Sequence, residues 1–401
     1  MHFRFGFAVL SVLAAGIIAC ASEPARPILS PAPPPPPPPF LSFGAVSAGD
    51  AHTCGITTDG TGYCWGTNTD GQLGDGTAGD RRTPIRVEGH VSLMMVDAGF
   101  RHTCAVSTVG VAYCWGRNGE GELGDGTTFD RPTPTAVSVP AGFLFTSVSA
   151  SNTHTCGVGG GTAGTTAGTV YCWGLNSAGQ LGDSTTTQRL TPVPVAGGVT
   201  FATVSTGYSH TCGVRTDGAV YCWGNNSAGQ LGDGTTTDRS SPTPVLGGLA
   251  FTAVRAGYLH TCGITIGGAV YCWGDNRSGQ LGDGTTINQT SPVAVSGGLR
   301  FATVSAGYAS SCGVNTWGDG YCWGRNAHGE LGDGTTTDHS TPTLIKTFTP
   351  GGLAYAHLNS GGGHTCVVDE AAAAYCWGFN GHGQVGDGTT TDRLAPVRVA
   401  P

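Results

Sequence analysis

Seven times this chain leads from a cysteine to Tyr-Cys-Trp-Gly, and a chain that repeats itself in this way has few folds open to it. The second cysteines are Cys64, Cys114, Cys172, Cys222, Cys272, Cys322 and Cys376, at spacings of 50, 58, 50, 50, 50 and 54 residues. A period near fifty residues, with a short strand-rich unit in each copy, marks a propeller or a solenoid. One such unit cannot bury its own apolar face, so the units must stack.

The fourth copy shows what a unit contains. Phe201 to Ser205 alternates apolar and polar residues, the pattern of a half-buried strand. Gly207-Tyr208-Ser209 turns the chain, His210 to Arg215 forms a second strand, and Ala219 to Gly224 a third. A long polar loop with Gly229-Gln230-Leu231-Gly232-Asp233-Gly234 follows. The stretch Ser241 to Val245 carries two prolines and fits only a short or edge strand, because proline donates no ladder hydrogen bond. Four strands per unit in seven units predict an all-β, seven-bladed β-propeller of four-stranded blades with intrablade disulfides.

The hairpin register fixes those disulfides. A loop ending in a left-handed Gly218 sets Val214 opposite Val220, Gly213 opposite Tyr221, Cys212 opposite Cys222 and Thr211 opposite Trp223. Directly opposed cysteines on one face lie within bridging range. The expected pairs are Cys54–Cys64, Cys104–Cys114, Cys156–Cys172, Cys212–Cys222, Cys262–Cys272, Cys312–Cys322 and Cys366–Cys376. The same register lays the Trp223 and Tyr221 rings over the small residues Thr211 and Gly213. The competing reading is a metal, since His52, His102, His154, His210, His260 and His364 form His-x-Cys. Ser310 replaces the histidine of the sixth copy while Cys312 and Cys322 remain, and two thiolates with one imidazole fall short of a structural zinc set. Bridges are expected; metals and cofactors are not.

Ahead of the repeats, Arg4 precedes an apolar stretch, Phe5 to Ala19, too short to span a bilayer and right for a signal-peptide core. It ends in Ile17-Ile18-Ala19-Cys20, which resembles the lipobox of bacterial lipoproteins. Cys20 is the one cysteine outside the repeat pairs, as a lipidated residue would be. Residues 20–42 then read as a spacer, whose prolines 33–39 adopt polyproline II. The expected domains are a signal peptide over 1–19, the lipidated spacer over 20–42 and the propeller over 43–401. Export and lipid anchoring to the bacterial cell envelope follow. Ala21 after Cys20 favours the outer membrane.

Charge points away from nucleic acid. Charged residues make up 11% of the chain, against an average of about 25%. The formal charge of −8 disfavours attraction to phosphates or anionic lipids.

The units Gly-Tyr-x-His-Thr-x-x-Val-x-x-x-Gly-x-Val-Tyr-x-Trp-Gly-x-Asn and Gly-Gln-Leu-Gly-Asp-Gly resemble repeats of the regulator of chromosome condensation family, from Phe43 to Pro401. The resemblance implies a seven-bladed propeller. Its members include a eukaryotic nucleotide-exchange factor for a small GTPase and secreted bacterial proteins such as a beta-lactamase-inhibitory protein. The paired cysteines depart from the cytosolic and nuclear members, and fold alone does not carry function. Two ring closures are compatible with the final Pro396-Val397-Arg398-Val399: it completes blade one, or it stays with its own repeat.

Copies that differ at one position mark where the scaffold does not dictate the side chain. Just before the His-Thr-Cys site stand Asp50, Phe100, Asn152, Tyr208, Tyr258, Tyr308 and Gly362. After each Trp-Gly stand Thr67, Arg117, Leu175, Asn225, Asp275, Arg325 and Phe379, whereas the next residue is always asparagine. Blades four to six therefore present Tyr208, Tyr258 and Tyr308 side by side, near Asp275 and Arg325. Phe100 and Phe379 add aromatic surface, and tyrosine and arginine are frequent interface anchors. Asp75, Asp233 and their equivalents lack the calcium-loop pattern and read as turn caps. Catalysis needs an asymmetric constellation, and nearly every Asp and His recurs around the ring. The expectation is a monomeric, non-enzymatic binding propeller for a protein or glycan partner. An envelope hydrolase or lyase and a guanine-nucleotide exchange factor are the alternatives.

Overall fold

The computed structural model describes residues 40–161, 168–346 and 355–401. The expected signal peptide, Cys20, most of the spacer, the tip of the third hairpin at 162–167 and residues 347–354 before the last repeat lie outside the described residues. From Phe43 to Arg398 the chain forms seven antiparallel sheets, each of four strands in chain order. Blade 1 is Phe43–Arg86, blade 4 is Thr203–Pro244 and blade 7 is Tyr355–Arg398. The hairpin register is the one the turn dictates: Val214, Gly213, Cys212 and Thr211 face Val220, Tyr221, Cys222 and Trp223. All seven expected disulfides form.

Closure is resolved in favour of self-contained blades. The strand Arg393–Arg398 pairs with Ala374–Gly378 of its own repeat, and blade 1 has its own outer strand Arg81–Arg86. The ring closes without a shared strand. Phe43 N–H donates to Ala372 O at 2.8 Å, Ala48 N–H to Asn359 Oδ1 at 2.8 Å and Gly362 N–H to Gly49 O at 2.9 Å. Outside that seam, the Arg398 guanidinium lies 3.7 Å from the Phe40 ring centroid.

The core is distributed over the seams between blades. Cys212, Val214, Val220, Cys222 and Leu231 of blade 4 pack on Phe251, Val254 and Trp273 of blade 5. One blade's bridge face thus meets the next blade's tryptophan face. The seven tryptophans of Tyr-Cys-Trp-Gly are 0% exposed. Removing 150–250 Å² of aromatic side chain from water contributes at most about 4–6 kcal/mol each. Phe201, two residues before the inner strand Thr203–Thr206, also lies over Gly213: a Cβ there would sit 2.6 Å from Phe201 Cδ1.

Candidate functional site

Two rings of residues, two positions apart in sequence, frame one end of the propeller. The first is built from the histidines. His52 Nε2 lies 2.9 Å from Thr103 Oγ1, and the Thr103 hydroxyl donates to Gln72 O at 2.8 Å. A hydroxyl has one proton and the carbonyl can only accept, so His52 carries its proton on Nε2 and donates. Trp115 Nε1–H donates to the same carbonyl at 2.9 Å. His102–Thr155, His154–Thr211, His210–Thr261, His260–Ser311 and His364–Thr53 repeat the contact at 2.7–2.9 Å, the last across the closing seam. Burial pushes these imidazoles down to about 3, and His260 to about 4, so they are neutral. The bridges occupy both sulfurs and the relay occupies Nε2. That leaves the His-x-Cys elements structural. Among the described residues no group of three or more His, Cys, Asp or Glu is placed to hold a metal ion.

The asparagines and aspartates hold the long loops. Asn226 Oδ1 accepts from Leu231 N, and its Nδ2 donates to Asp233 Oδ1 at 3.0 Å. Asp233 Oδ1 also accepts from Thr235 N–H and its hydroxyl, while Oδ2 accepts from Arg239 at 2.7 Å. Burial opposes the charge on Asp233, but Thr235, Arg239 and Asn226 outweigh it and hold the carboxyl below the usual range. Asp75, Asp125, Asp183 and Asp387 repeat this turn chemistry.

The second ring forms the mouth of the central channel. The backbone N–H of Phe100 donates to Ser151 O, that of Tyr208 to Gly257 O, of Tyr258 to Gly307 O and of Tyr308 to Gly361 O. Asp50 and Gly362 make the same bond, to Gly99 O and Gly49 O, so six of the seven mouth positions are tied to the next blade whatever side chain they carry. Tyr208 and Tyr258 pack at a tilt of 45° with ring centroids 4.1 Å apart, and Tyr258 and Tyr308 at 40° and 4.3 Å. Phe100, from blade 2, meets Tyr208 edge-on at 6.2 Å. Burial, then the flanking tyrosines, push the Tyr258 hydroxyl up to about 12. These four rings line a channel cavity of about 500 Å³ walled by the inner strands.

The other candidate residues sit elsewhere, and a pairing rule explains two of them. Asp275 is buried and accepts from Gln280 Nε2 at 2.8 Å and from Arg277 Nε at 2.7 Å. Arg325 Nε lies 3.9 Å from Glu330 Oε1. The residue after Trp-Gly thus complements the one five positions later. Asn225 accepts from Gln230 and Asp275 from Gln280, whereas Arg117 and Arg325 face Glu122 and Glu330. Where the partner offers nothing, at Thr67, Leu175 and Phe379, the Gln72, Gln180 and Gln384 amide nitrogens stay unpaired. This covariation was readable among the repeats. Phe379 lies on the rim between His328 and His382, at 4.9 and 6.3 Å. Those histidines face Asp392 and Asp80. The structure therefore gathers Phe100 and the three tyrosines, and leaves Asp275, Arg325 and Phe379 in scaffold or rim contacts. Two channel residues had gone unnoticed: Asp97 and Arg255, on inner strands.

Uniform seams and a variable mouth define the class: a repeat propeller that serves as a scaffold. The comparisons agree. The profile of the RCC1-like domain matches residues 142–401, and that of the regulator of chromosome condensation (RCC1) repeat matches 59–106 and 110–158. The chain belongs to the RCC1-repeat family. Among solved structures it is similar to human WBSCR16, at 21% identity over 84% of this chain and 94% of that one, with a TM-score of 0.74. Prp20p from Saccharomyces cerevisiae, described with its binding to Gsp1p and histones, matches at 22% identity over 90% and 88%, TM-score 0.71. The ectodomain of the Physcomitrella patens receptor kinase CR4 matches at 21% over 84% and 74%, TM-score 0.55. Such identities speak for the fold alone. No curated protein matches by sequence.

Proposed function

We propose that this chain is a binding propeller of the bacterial cell envelope, exported, lipid-anchored at Cys20 and held off the membrane by its proline run. In this reading the mouth formed by Phe100, Tyr208, Tyr258 and Tyr308 recognises a protein or glycan partner. The observation that carries it is the gathering of four aromatic rings on a backbone ring that does not require them. Packed aromatic rings, three of them with polar tips, give large contact area at low entropy cost. Seven disulfides suit an oxidising compartment, which favours this reading over exchange on a cytoplasmic GTPase. That Prp20p is described as binding Gsp1p and histones supports a protein as partner.

The test is affinity capture from envelope extracts with oxidised residues 21–401, beside a folded Tyr208/Tyr258/Tyr308→Ala variant. A partner kept by the parent and lost by the variant supports the site. Equal retention by both removes it. Metabolic palmitate labelling of the full chain, lost in Cys20→Ala, tests the anchor separately.

A further inference from the structure

The channel wall carries a third ring, and it is broken at one place. At the next-to-last position of six inner strands stand Ser47, Asp97, Ser149, Ser205, Ser305 and Asn359. Each accepts a backbone N–H from the next blade. Ser47 takes Ala98 N, Asp97 takes Ala150 N and Ser149 takes Thr206 N. Ser205 takes Ala256 N, Ser305 takes Ser360 N and Asn359 takes Ala48 N, all at 2.8–3.1 Å. Blade 5 has Arg255 at this position. A guanidinium has no lone pair to offer, so it gives Ala306 N–H no acceptor. The equivalent donors, four alanines with Thr206 and Ser360, are all buried, whereas Ala306 is half-exposed.

Arg255 itself is accessible to water inside the channel, yet its head is ringed by protein. It donates to its own neighbour Val254 O at 3.0 Å. Burial weakens its hold on the proton, and the charge of Asp97 across the channel partly restores it. Asp97 makes its hydrogen bonds within its own wall of the channel. Its two oxygens accept from Ser47 Oγ and Ala150 N. A guanidinium that faces the channel with no carboxylate in contact keeps N–H donors open to an anion.

We propose that the channel binds a small carboxylate, held by Arg255 with the Ala306 N–H beside it, beneath the tyrosines of the mouth. Arg255 stands on the inner strand Phe251–Ala256 and Tyr258 two residues past its end, and both line the cavity. A guanidinium takes a carboxylate through two parallel N–H donors. The cavity of about 500 Å³ lies within the range of small-molecule pockets, ~300–1,000 Å³. This site stands independently of the partner-binding role of the mouth.

The decisive variant is Arg255→Ser, which puts at blade 5 the residue that blades 1, 3, 4 and 6 already use and gives Ala306 N–H its acceptor. It folds and melts no lower than the parent. Acetate, succinate, citrate and a short peptide with a free C-terminus or its amide are added at constant ionic strength. Melting temperature and calorimetric affinity are the readouts. At least one carboxylate raises the parent's melting temperature, and its affinity falls by about tenfold or more in R255S. Response to the free acids assigns a metabolite-sized ligand. Response to the peptide acid, and not to its amide or to the free acids, assigns the same site to a partner's C-terminus. If no member stabilises the parent more than R255S, the proposal is wrong.

Discussion

Tyr208 and His210 are two residues apart and belong to different worlds. His210 is buried, neutral and bonded to Thr261 of the next blade. Tyr208 is half-exposed, and its side chain touches other variable side chains rather than the conserved seam. The histidine position keeps its residue in six copies of seven, while the tyrosine position holds five different residues. Repetition thus sorts the chain physically. Residues that bridge blades stay fixed, because each must fit a neighbour that repeats too. Residues that face the mouth are released, because the backbone ring holds them regardless.

The strongest way to break this contrast is to attack the scaffold as a whole. Reducing the seven bridges removes cross-links worth up to about 2.5–3 kcal/mol each by loop entropy. The reduced chain is expected to lose cooperative unfolding, followed by circular dichroism with and without reductant. Persistence of the native melt after full reduction would show that the stacked seams suffice.

Acid is the next lever, with its sign set by the relay. The six imidazoles titrate at about 3 to 4 when folded and near 6.5 when unfolded. Their contribution is complete above pH 6.5 and is lost as pH falls toward 3. Asp50 and Asp97, raised to about 6, and Glu122, raised to about 7, act oppositely, chiefly through burial. Glu330, also raised by burial, joins these. The turn aspartates Asp75, Asp125, Asp183, Asp233, Asp333 and Asp387 are held low, and their contribution is lost in acid with that of the histidines. The denaturation midpoint should therefore drop steeply below pH 6. A flat midpoint down to pH 4 would mean that the relay histidines are not neutral donors.

Single seams sharpen the picture further. His364→Ala at the closing seam leaves Thr53 without its donor and a void behind it, an expected loss of about 2–4 kcal/mol. The sixth seam has dispensed with its histidine. There Ser310 stands where His364 stands in the next blade, yet Thr365 still donates to Glu330 O. Ser310→His should extend the relay and add about 0.5–1.5 kcal/mol. Both are read from urea melts of single variants.

Much of the scaffold was legible because a hairpin is local. Gly218 and the cysteine spacing set the pairing of neighbouring strands, and seven equal units set the architecture. What lies between blades was not legible. The Trp223–Gln180 and His210–Thr261 contacts join residues 43 and 51 positions apart. Their constancy among copies signalled structure without naming a partner. Closure was undecidable for the same reason, since Arg393–Arg398 fits either blade by pattern alone. The mouth was half legible: their equivalent places in successive repeats put Tyr208, Tyr258 and Tyr308 together, but not Phe100 beside Tyr208. Asp275 and Arg325 drew attention as variable charges, when their variation answers Gln280 and Glu330. Arg255 was missed because its significance lies in six other residues being acceptors.

The most direct test of the account weighs the two rings against each other. Thermal melts of the oxidised parent, of His210→Ala and of Tyr208/Tyr258/Tyr308→Ala would be run side by side. The account predicts that removing three tyrosines costs no more than about 2 kcal/mol in total, less than removing the one histidine. A triple variant that melts as low as His210→Ala, or lower, would contradict it and return the tyrosines to the scaffold.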